Sequence, residues 1–517
     1  MPPASQAGSD AMKPNILLIT ADQWRGDCLG LAGHPTVRTQ HIDALAAEGV
    51  AFMRHYAGSA PCAPARATLY TGLYQMNHRV ARNGTPLDDR FDNIARLARR
   101  AGYDPTLFGY TDTTPDPRAL SPNDSQLQSY EGVLPGFTVR QLLPEHQKPW
   151  LSWLRGRGHA EATDLAIQKP ISGNGKGVSN APPAYSADET ETAFLADEFL
   201  RWHSEQEGNW FAHVSFIRPH PPYVVPEPYN TMFAPEQNLG FSRAPSRARE
   251  AELHPFLAWE LETQGGKKKK KFLPGAKGRI ADWSETDYAA LRAIYFGMIA
   301  EVDAQIGRIV AALKKTGAWN NTIIIFTSDH GEMMGDHWML GKGGFFEGSY
   351  HTPLVIRDPK YPKGEGKQVD AFTSAADILP TLAARLGLVP ENHVDGASLM
   401  PFLRGKKPET WRDAAFYEYD FRDIARAKAE EHFDLPYSLC NLAVVRDHAF
   451  KYVHFAGMKP LLFDLTIDPH ECTNVADDPK YLPARLAYAE KLLSLRSEHL
   501  DQTLAATTVS PDGLIRQ

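Results

Sequence analysis

Cys62, Pro64 and Arg66 are the residues whose types and spacing suit covalent chemistry. They stand in Pro61-Cys62-Ala63-Pro64-Ala65-Arg66-Ala67-Thr68-Leu69-Tyr70-Thr71-Gly72. A proline suits the first turn of a helix, where its missing N–H costs nothing. Ala65 to Tyr70 continue as helix, and Gly72 fits the left-handed position just past its end. Cys62 then lies at the helix mouth, where backbone N–H groups and the dipole favour negative charge. Arg66, one turn on, is within reach of folding back over that mouth. A nucleophile and a fixed cation would share one anion-sized space. The same residues also fit a small buried cysteine at a helix start.

Asp22, Gln23, Asp329 and His330 follow the two most apolar runs of the chain, Asn15 to Thr20 and Thr322 to Thr327. Singly, such residues commonly cap helices and turns. Together they form an oxygen-rich set with one imidazole, which suits a divalent ion such as Mn²⁺, Mg²⁺ or Ca²⁺ better than zinc. Gln23 can ligate through its carbonyl oxygen. His220 follows another apolar run, Phe211 to Phe216, and Lys342 sits in the glycine-rich stretch Leu340 to Gly348.

The elements that must position these groups alternate between strands and helices. Strands are expected at 15–20, 51–57, 103–109, 211–216 and 322–327, with helices at 39–49, 94–101, 187–204, 287–315 and 375–386. That pattern predicts an α/β sandwich around a large, mostly parallel sheet flanked by helices. Ligands in such sheets bind outside the carboxyl ends of strands, and Asp22-Gln23, Asp329-His330 and His220 fall just past such ends while Cys62 falls at a helix start. From about residue 406 short alternating runs take over (415–419, 442–445, 450–454, 461–465), which suit an antiparallel sheet. We therefore expect a catalytic α/β domain over 13–405 and a smaller C-terminal unit over 406–517, closed by a helix at 482–500 and a tail. Residues 121–185 are rich in Gly, Pro and polar residues and read as long surface loops, part of an insertion near 115–185. A second insertion, near 226–285, contains Lys267 to Lys271, a solvated loop by composition.

Cys-x-Pro-x-Arg followed by a helix ending in Thr-Gly resembles the signature of the type I sulfatases of the alkaline-phosphatase superfamily. The resemblance spans roughly residues 14–475. It implies an alkaline-phosphatase-like sandwich and oxidation of Cys62 after translation to formylglycine, whose hydrate is the nucleophile and completes the ligand set of one divalent metal ion. It also implies a formylglycine-generating enzyme as the maturation partner. Leu340-Gly341-Lys342-Gly343-Gly344-Phe345-Phe346-Glu347-Gly348 resembles a family segment whose lysine lies near the scissile ester, and the strand-end histidine of the family maps onto His220. A cation and an imidazole there neutralise charge or donate a proton as the ester bond breaks.

The sequence departs from ordinary sulfatases at three places. Ala65 replaces the motif's more common serine, and Asp22-Gln23 replaces Asp-Asp. Gly109-Tyr110-Thr111-Asp112 replaces Gly-Lys-x-His, so that Tyr110 and Asp112 occupy the positions of a positive pair. These departures resemble the phosphonate monoester hydrolase branch, which has promiscuous sulfatase and phosphodiesterase activity and forms homotetramers. Asn83 matches a substrate-contacting asparagine of that branch. Asp112 either meets the substrate with a cationic neighbour or a proton, or faces away.

The expected activity is hydrolysis of sulfate monoesters, phosphonate monoesters and phosphodiesters. The alternative is a two-metal phosphodiesterase or phosphatase of the same superfamily, which would use Thr or Ser as nucleophile and more Asp and His ligands. The 517 residues carry a formal charge of −7 and four scattered cysteines, which argues against a nucleic-acid partner and a disulfide framework. No apolar stretch is long enough to cross a bilayer, and we expect a cytoplasmic enzyme with no membrane partner.

Overall fold

The computed structural model describes residues 13–172, 178–265, 273–274, 276, 278–505 and 507–516. The five lysines 267–271 lie outside the described residues. The strands are β1 (Asn15–Ala21), β2 (Val50–Tyr56), β3 (Ser59–Ala60), β4 (Pro105–Gly109), β5 (Thr138–Leu142), β6 (Phe211–Phe216), β7 (Thr322–Thr327), β8 (His351–Thr352), β9 (Leu354–Arg357), β10 (Lys367–Ser374), β11 (Ala415–Asp420), β12 (Asn441–Arg446), β13 (Phe450–Phe455) and β14 (Leu461–Asp464). A nine-stranded sheet runs in the order β10-β2-β9-β7-β1-β6-β4-β5, with β8 beside β2. Its pairs are parallel except those made by β8 and β9.

Register brings the chemistry to one edge. Thr20 of β1 is paired with Thr327 of β7 and with Ser215 of β6. Asp22 and Asp329 each lie two residues past such a pair and so emerge side by side. β1, β6 and β7 are buried along their whole length, which is why their sequences are continuous apolar runs rather than alternating ones.

Helices cover both faces. The Glu285–Thr316 helix starts at a Ser284–Asp287 capping box and ends at Gly317, whose φ is +77°. It buries Tyr295, Met298, Val302 and Ile306 against one face. The Cys62–Thr71, Ile94–Arg100 and Ile378–Leu386 helices cover the other. Each such side chain contributes about 1.5–3 kcal/mol of burial free energy.

The small sheet runs β14-β13-β12-β11-β3. Its β11–β3 pairing is parallel and its other pairs are antiparallel. β3 ends two residues before Cys62, so this sheet reaches the segment that carries Cys62. The expectation of loops over 121–185 needs correcting. β5 extends the main sheet there, and the Lys148–Gly156 helix buries Trp150, Leu151 and Leu154. Gly and Pro at its flanks masked this short amphipathic segment. The second insertion likewise contains the Arg247–Ala251 and Pro255–Gly265 helices, and the tail pairs 507–510 with 513–516. No helix among the described residues is long and apolar enough to cross a membrane.

Candidate active site

Cys62 opens the Cys62–Thr71 helix, and all ten residues of that helix are buried. Gly72 closes it with φ +71° and an N–H bonded to the Thr68 carbonyl. At the mouth, the Ala63 N–H donates to Asn83 Oδ1 at 3.0 Å. The side chain expected to contact substrate therefore holds the first turn of this helix.

Three groups converge on the Cys62 sulfur. His330 Nε2 lies at 3.2 Å, Lys342 Nζ at 3.3 Å and Asp22 Oδ1 at 4.0 Å. Burial pushes the thiol well above its ordinary range, and Asp22 adds to this against Lys342. Burial disfavours the Lys342 charge, but Cys62, Asp22 and Asp329 outweigh it and raise the ammonium's pKa. Lys342 Nζ also donates to Gln23 Oε1 at 2.7 Å.

Asp22, Cys62, Asp329 and His330 place four potential ligand atoms within 4.8 Å of one another, all buried. The donor chemistry fits a divalent cation. His330 Nδ1–H donates to the Gly331 carbonyl at 3.0 Å, which leaves the Nε2 lone pair facing the cluster. The Asp329 Oδ1 accepts the backbone N–H groups of Gln23 and His330 at 3.1 and 2.9 Å. Gln23 has φ +71°, and its Nε2 is held by Glu332 and by Tyr223, the latter at 3.2 Å. That grip turns Oε1 toward Lys342.

Arg66 lies elsewhere than its spacing suggested. Instead of folding over the helix mouth it points inward, fully buried. Nε donates to Asp329 Oδ2 at 3.0 Å, Nη2 to Asp22 Oδ2 at 3.3 Å and Nη1 to Ser215 Oγ at 2.9 Å. It stacks over the Tyr110 ring at 4.2 Å, and Tyr110 OH donates to Asp22. A planar guanidinium beneath two carboxylates satisfies more of their lone pairs than a lysine could. Tyr110, at the position where the resemblance expects a sulfatase lysine, thus binds a carboxylate of the candidate metal cluster.

Asp112 is 3% exposed, has φ +52°, and holds Oδ1 buried without a hydrogen-bond partner. Burial raises its pKa to about 8, against the pull of Arg66 and with support from Asp22. That direction favours the protonated form of Asp112, while Arg66 is the cation within its electrostatic reach. A cavity of about 310 Å³ opens beside these groups and is lined by Gln23, His220, Tyr223, Glu260, Lys342 and Tyr419. A second, of about 760 Å³, meets it at His220 and Pro221. His220 is buried, with Nδ1 at 2.8 Å from the Pro221 carbonyl.

The sulfatase family model matches residues 14–388, and a model described as N-sulphoglucosamine sulphohydrolase, C-terminal, matches 335–498. The chain belongs to the sulfatase family. This sulfatase is 37% identical over 510 residues to the multifunctional alkaline phosphatase superfamily protein PehA of Trinickia caryophylli, covering 97% of this chain and 99% of that protein. It is 29% identical to an arylsulfatase of Clostridium perfringens, over 93% and 94% of the two chains. The crystal structure of the phosphonate monoester hydrolase of Agrobacterium radiobacter superposes with a TM-score of 0.96 at 64% identity, covering 98% of this sulfatase and 100% of that chain. The phosphonate monoester hydrolase branch read from Asp22-Gln23 and Gly109-Tyr110-Thr111-Asp112 is matched by the Agrobacterium radiobacter structure.

Sequence reasoning missed Glu332 and Tyr223. Glu332 is fully buried; its Oε2 accepts from Tyr223 OH at 2.9 Å and from Gln23, and its Oε1 accepts the Met334 N–H at 3.1 Å. It lies three residues beyond Asp329 and Tyr223 three beyond His220, so both were adjacent to stretches already singled out. Glu260 and Gln264, four apart on the Pro255–Gly265 helix, are bonded at 3.0 Å. Their signal was a polar pair in helical register within an insertion.

Proposed function

We infer that this sulfatase hydrolyses singly charged sulfate monoesters, phosphonate monoesters and phosphodiesters, with formylglycine made from Cys62 and one divalent ion (Mn, Ca or Mg) held by Asp22, Gln23, Asp329 and His330. The observation that carries this reading is the convergence on Cys62 Sγ of Lys342 Nζ at 3.3 Å and His330 Nε2 at 3.2 Å. An unmodified thiol with so high a pKa is a poor nucleophile at neutral pH, which supports its conversion. Hydrated formylglycine at position 62 would supply the attacking hydroxyl, and a divalent cation held by these residues would supply positive charge that favours its deprotonation and offsets that of the anionic ester.

The chain's own side chains do the rest. Lys342 offsets negative charge on the ester as the bond to its leaving group breaks. His220, at the junction of the two cavities, would give a proton to the leaving-group oxygen in its imidazolium form, which burial and Lys342 oppose and Asp22 favours. Arg66 and Tyr110 fix Asp22 and Asp329 from below, and Glu332 fixes Gln23 from the side. Asp112, kept neutral, adds no repulsion toward an anionic ester. Maturation by a formylglycine-generating enzyme, a cytoplasmic location and a homotetramer belong to the same reading.

Charge decides the substrate order. Because Arg66 is committed to Asp22 and Asp329, Lys342 and the cation carry most of the attraction for substrate. A phosphate monoester brings nearly two negative charges at neutral pH, whereas the other three esters bring one. We expect singly charged esters to be preferred at least about tenfold in kcat/KM, which needs only about 1.4 kcal/mol of transition-state discrimination. The test is a 4-nitrophenyl series of sulfate, phenylphosphonate, phosphodiester and phosphate monoester. A phosphate monoester as the best substrate would overturn the reading.

A further inference from the structure

Two distant segments meet at Asp395, well outside the cavity. His393 and Asp395 lie in the loop after the Ile378–Leu386 helix, and His499 is the residue just past the Leu482–Glu498 helix. His393 Nε2 stands 3.2 Å from Asp395 Oδ1, and His499 Nδ1 stands 3.4 Å from the same oxygen. The three donor atoms lie within 4.8 Å of one another.

Hydrogen bonding alone accounts poorly for this convergence. A carboxylate oxygen offers two lone-pair sites, and Asn77 Nδ2, which gives one hydrogen to the His499 carbonyl at 2.6 Å, shares its other between Oδ1 and Oδ2 at 2.9 Å each. Two imidazole N–H groups would have to share what is left of Oδ1, one of them beyond the usual N–H···O range. A cation removes the conflict. With metal–ligand bonds of about 2.0–2.1 Å, two ligands of a tetrahedron are separated by about 3.3 Å, close to both distances here.

We propose that His393 Nε2, Asp395 Oδ1 and His499 Nδ1 form a second, structural metal site for a borderline divalent cation such as Zn²⁺. Two imidazoles and one carboxylate suit zinc, unlike the oxygen-rich set near Cys62. Asp395 is positioned as a ligand is, with Oδ2 accepting the Tyr74 N–H at 2.6 Å and Asn77 Nδ2 at 2.9 Å. The imidazoles are about a quarter exposed, which gives an ion access. The Asp501 carboxylate lies within electrostatic reach of His393 and adds negative charge, while Arg90 sits 3.7 Å from Asp501 on its other side. The same loop caps the nucleophile helix: the N–H groups of Asp395 and Gly396 donate to the Gly72 carbonyl at 2.8 and 3.1 Å. The cation therefore ties the end of the last helix to the cap of the helix that carries Cys62.

The test is zinc content per full-length chain after equilibration with zinc chloride and desalting, with melting temperature measured with and without zinc. Wild type, His393→Gln, His499→Gln and Asp329→Asn are compared. Wild type should hold one equivalent more than either histidine variant, and the variants should lose the zinc-dependent rise in Tm while keeping turnover of a 4-nitrophenyl ester. Asp329→Asn should retain this equivalent, so failure of the catalytic ligand set reads out separately. Equal zinc content and equal Tm response in wild type and both histidine variants would overturn the proposal and leave a hydrogen-bonded clasp.

Discussion

Arg66 Nε donates to Asp329 Oδ2 at 3.0 Å, and neither side chain has any exposure. A guanidinium so placed balances the two buried carboxylates of the candidate metal cluster. Removing one partner of a buried ion pair leaves an uncompensated charge, at a cost of about 3–5 kcal/mol. Arg66→Ala should therefore lose stability of that order and bind its metal more weakly, with a smaller change in KM. Denaturant unfolding and metal retention measure both. A raised KM with stability and metal content unchanged would return Arg66 to the role of substrate clamp.

Asp329→Asn should lower metal content and rate together, because the carboxylate supplies charge as well as geometry. We expect kcat/KM to fall at least about 100-fold, at the upper end of what loss of even an outer-shell partner costs. Elemental analysis beside kinetics decides it. Chelator-treated wild type should lose activity in proportion to its metal and regain it with a divalent salt. Full activity in metal-free enzyme would show the ligand assignment to be wrong.

Asp112 gives a pH dependence with a definite sign. Its carboxyl ordinarily titrates near 3.8, whereas burial raises it to about 8 in the folded protein. The folded state then keeps a proton that the unfolded chain releases, so this group's stabilising contribution is present in acid and is lost as pH rises from about 4 to about 8. A bound cation draws the upper limit down. The stability of Asp112→Asn relative to wild type should therefore increase between pH 5 and pH 8. The alkaline limb of kcat/KM for an anionic ester should shift or vanish in the variant, because no negative charge then appears beside the substrate. A wild-type-minus-variant stability difference that stays flat across this range would contradict the buried neutral acid.

The fold and the convergence of Asp22, Asp329 and His330 with Cys62 were legible because their signals are contiguous. Ile16 to Ile19 and Ile323 to Phe326 are buried on both faces, and the residues just past such strands can only emerge at the sheet's carboxyl edge. Gly72 announced the end of the Cys62–Thr71 helix by its residue type, and its φ of +71° bears this out. The direction of Arg66 was not legible, since helical spacing fixes which turn a side chain leaves from but not which carboxylates wait below it. The same holds for the β11–β3 pairing, where Glu418 meets Ser59 and Tyr419 meets Ala60 across a gap of more than three hundred residues. The grip of Glu332 on Gln23 is equally non-local and depends on the backbone turn at Gln23.

The assignment of Cys62 is tested most directly by the mass of the tryptic peptide ending at Arg66 from active, full-length enzyme. Conversion of the cysteine to formylglycine should make that peptide about 18 Da lighter, with hydration restoring the mass and the aldehyde captured by a hydrazide. Cys62→Ala should show neither species and lose nearly all turnover while remaining folded, since one side chain at a helix start is worth only about 1 kcal/mol. A fully active preparation in which Cys62 is entirely unmodified thiol, or a Cys62→Ala variant with wild-type rates, would contradict the covalent mechanism.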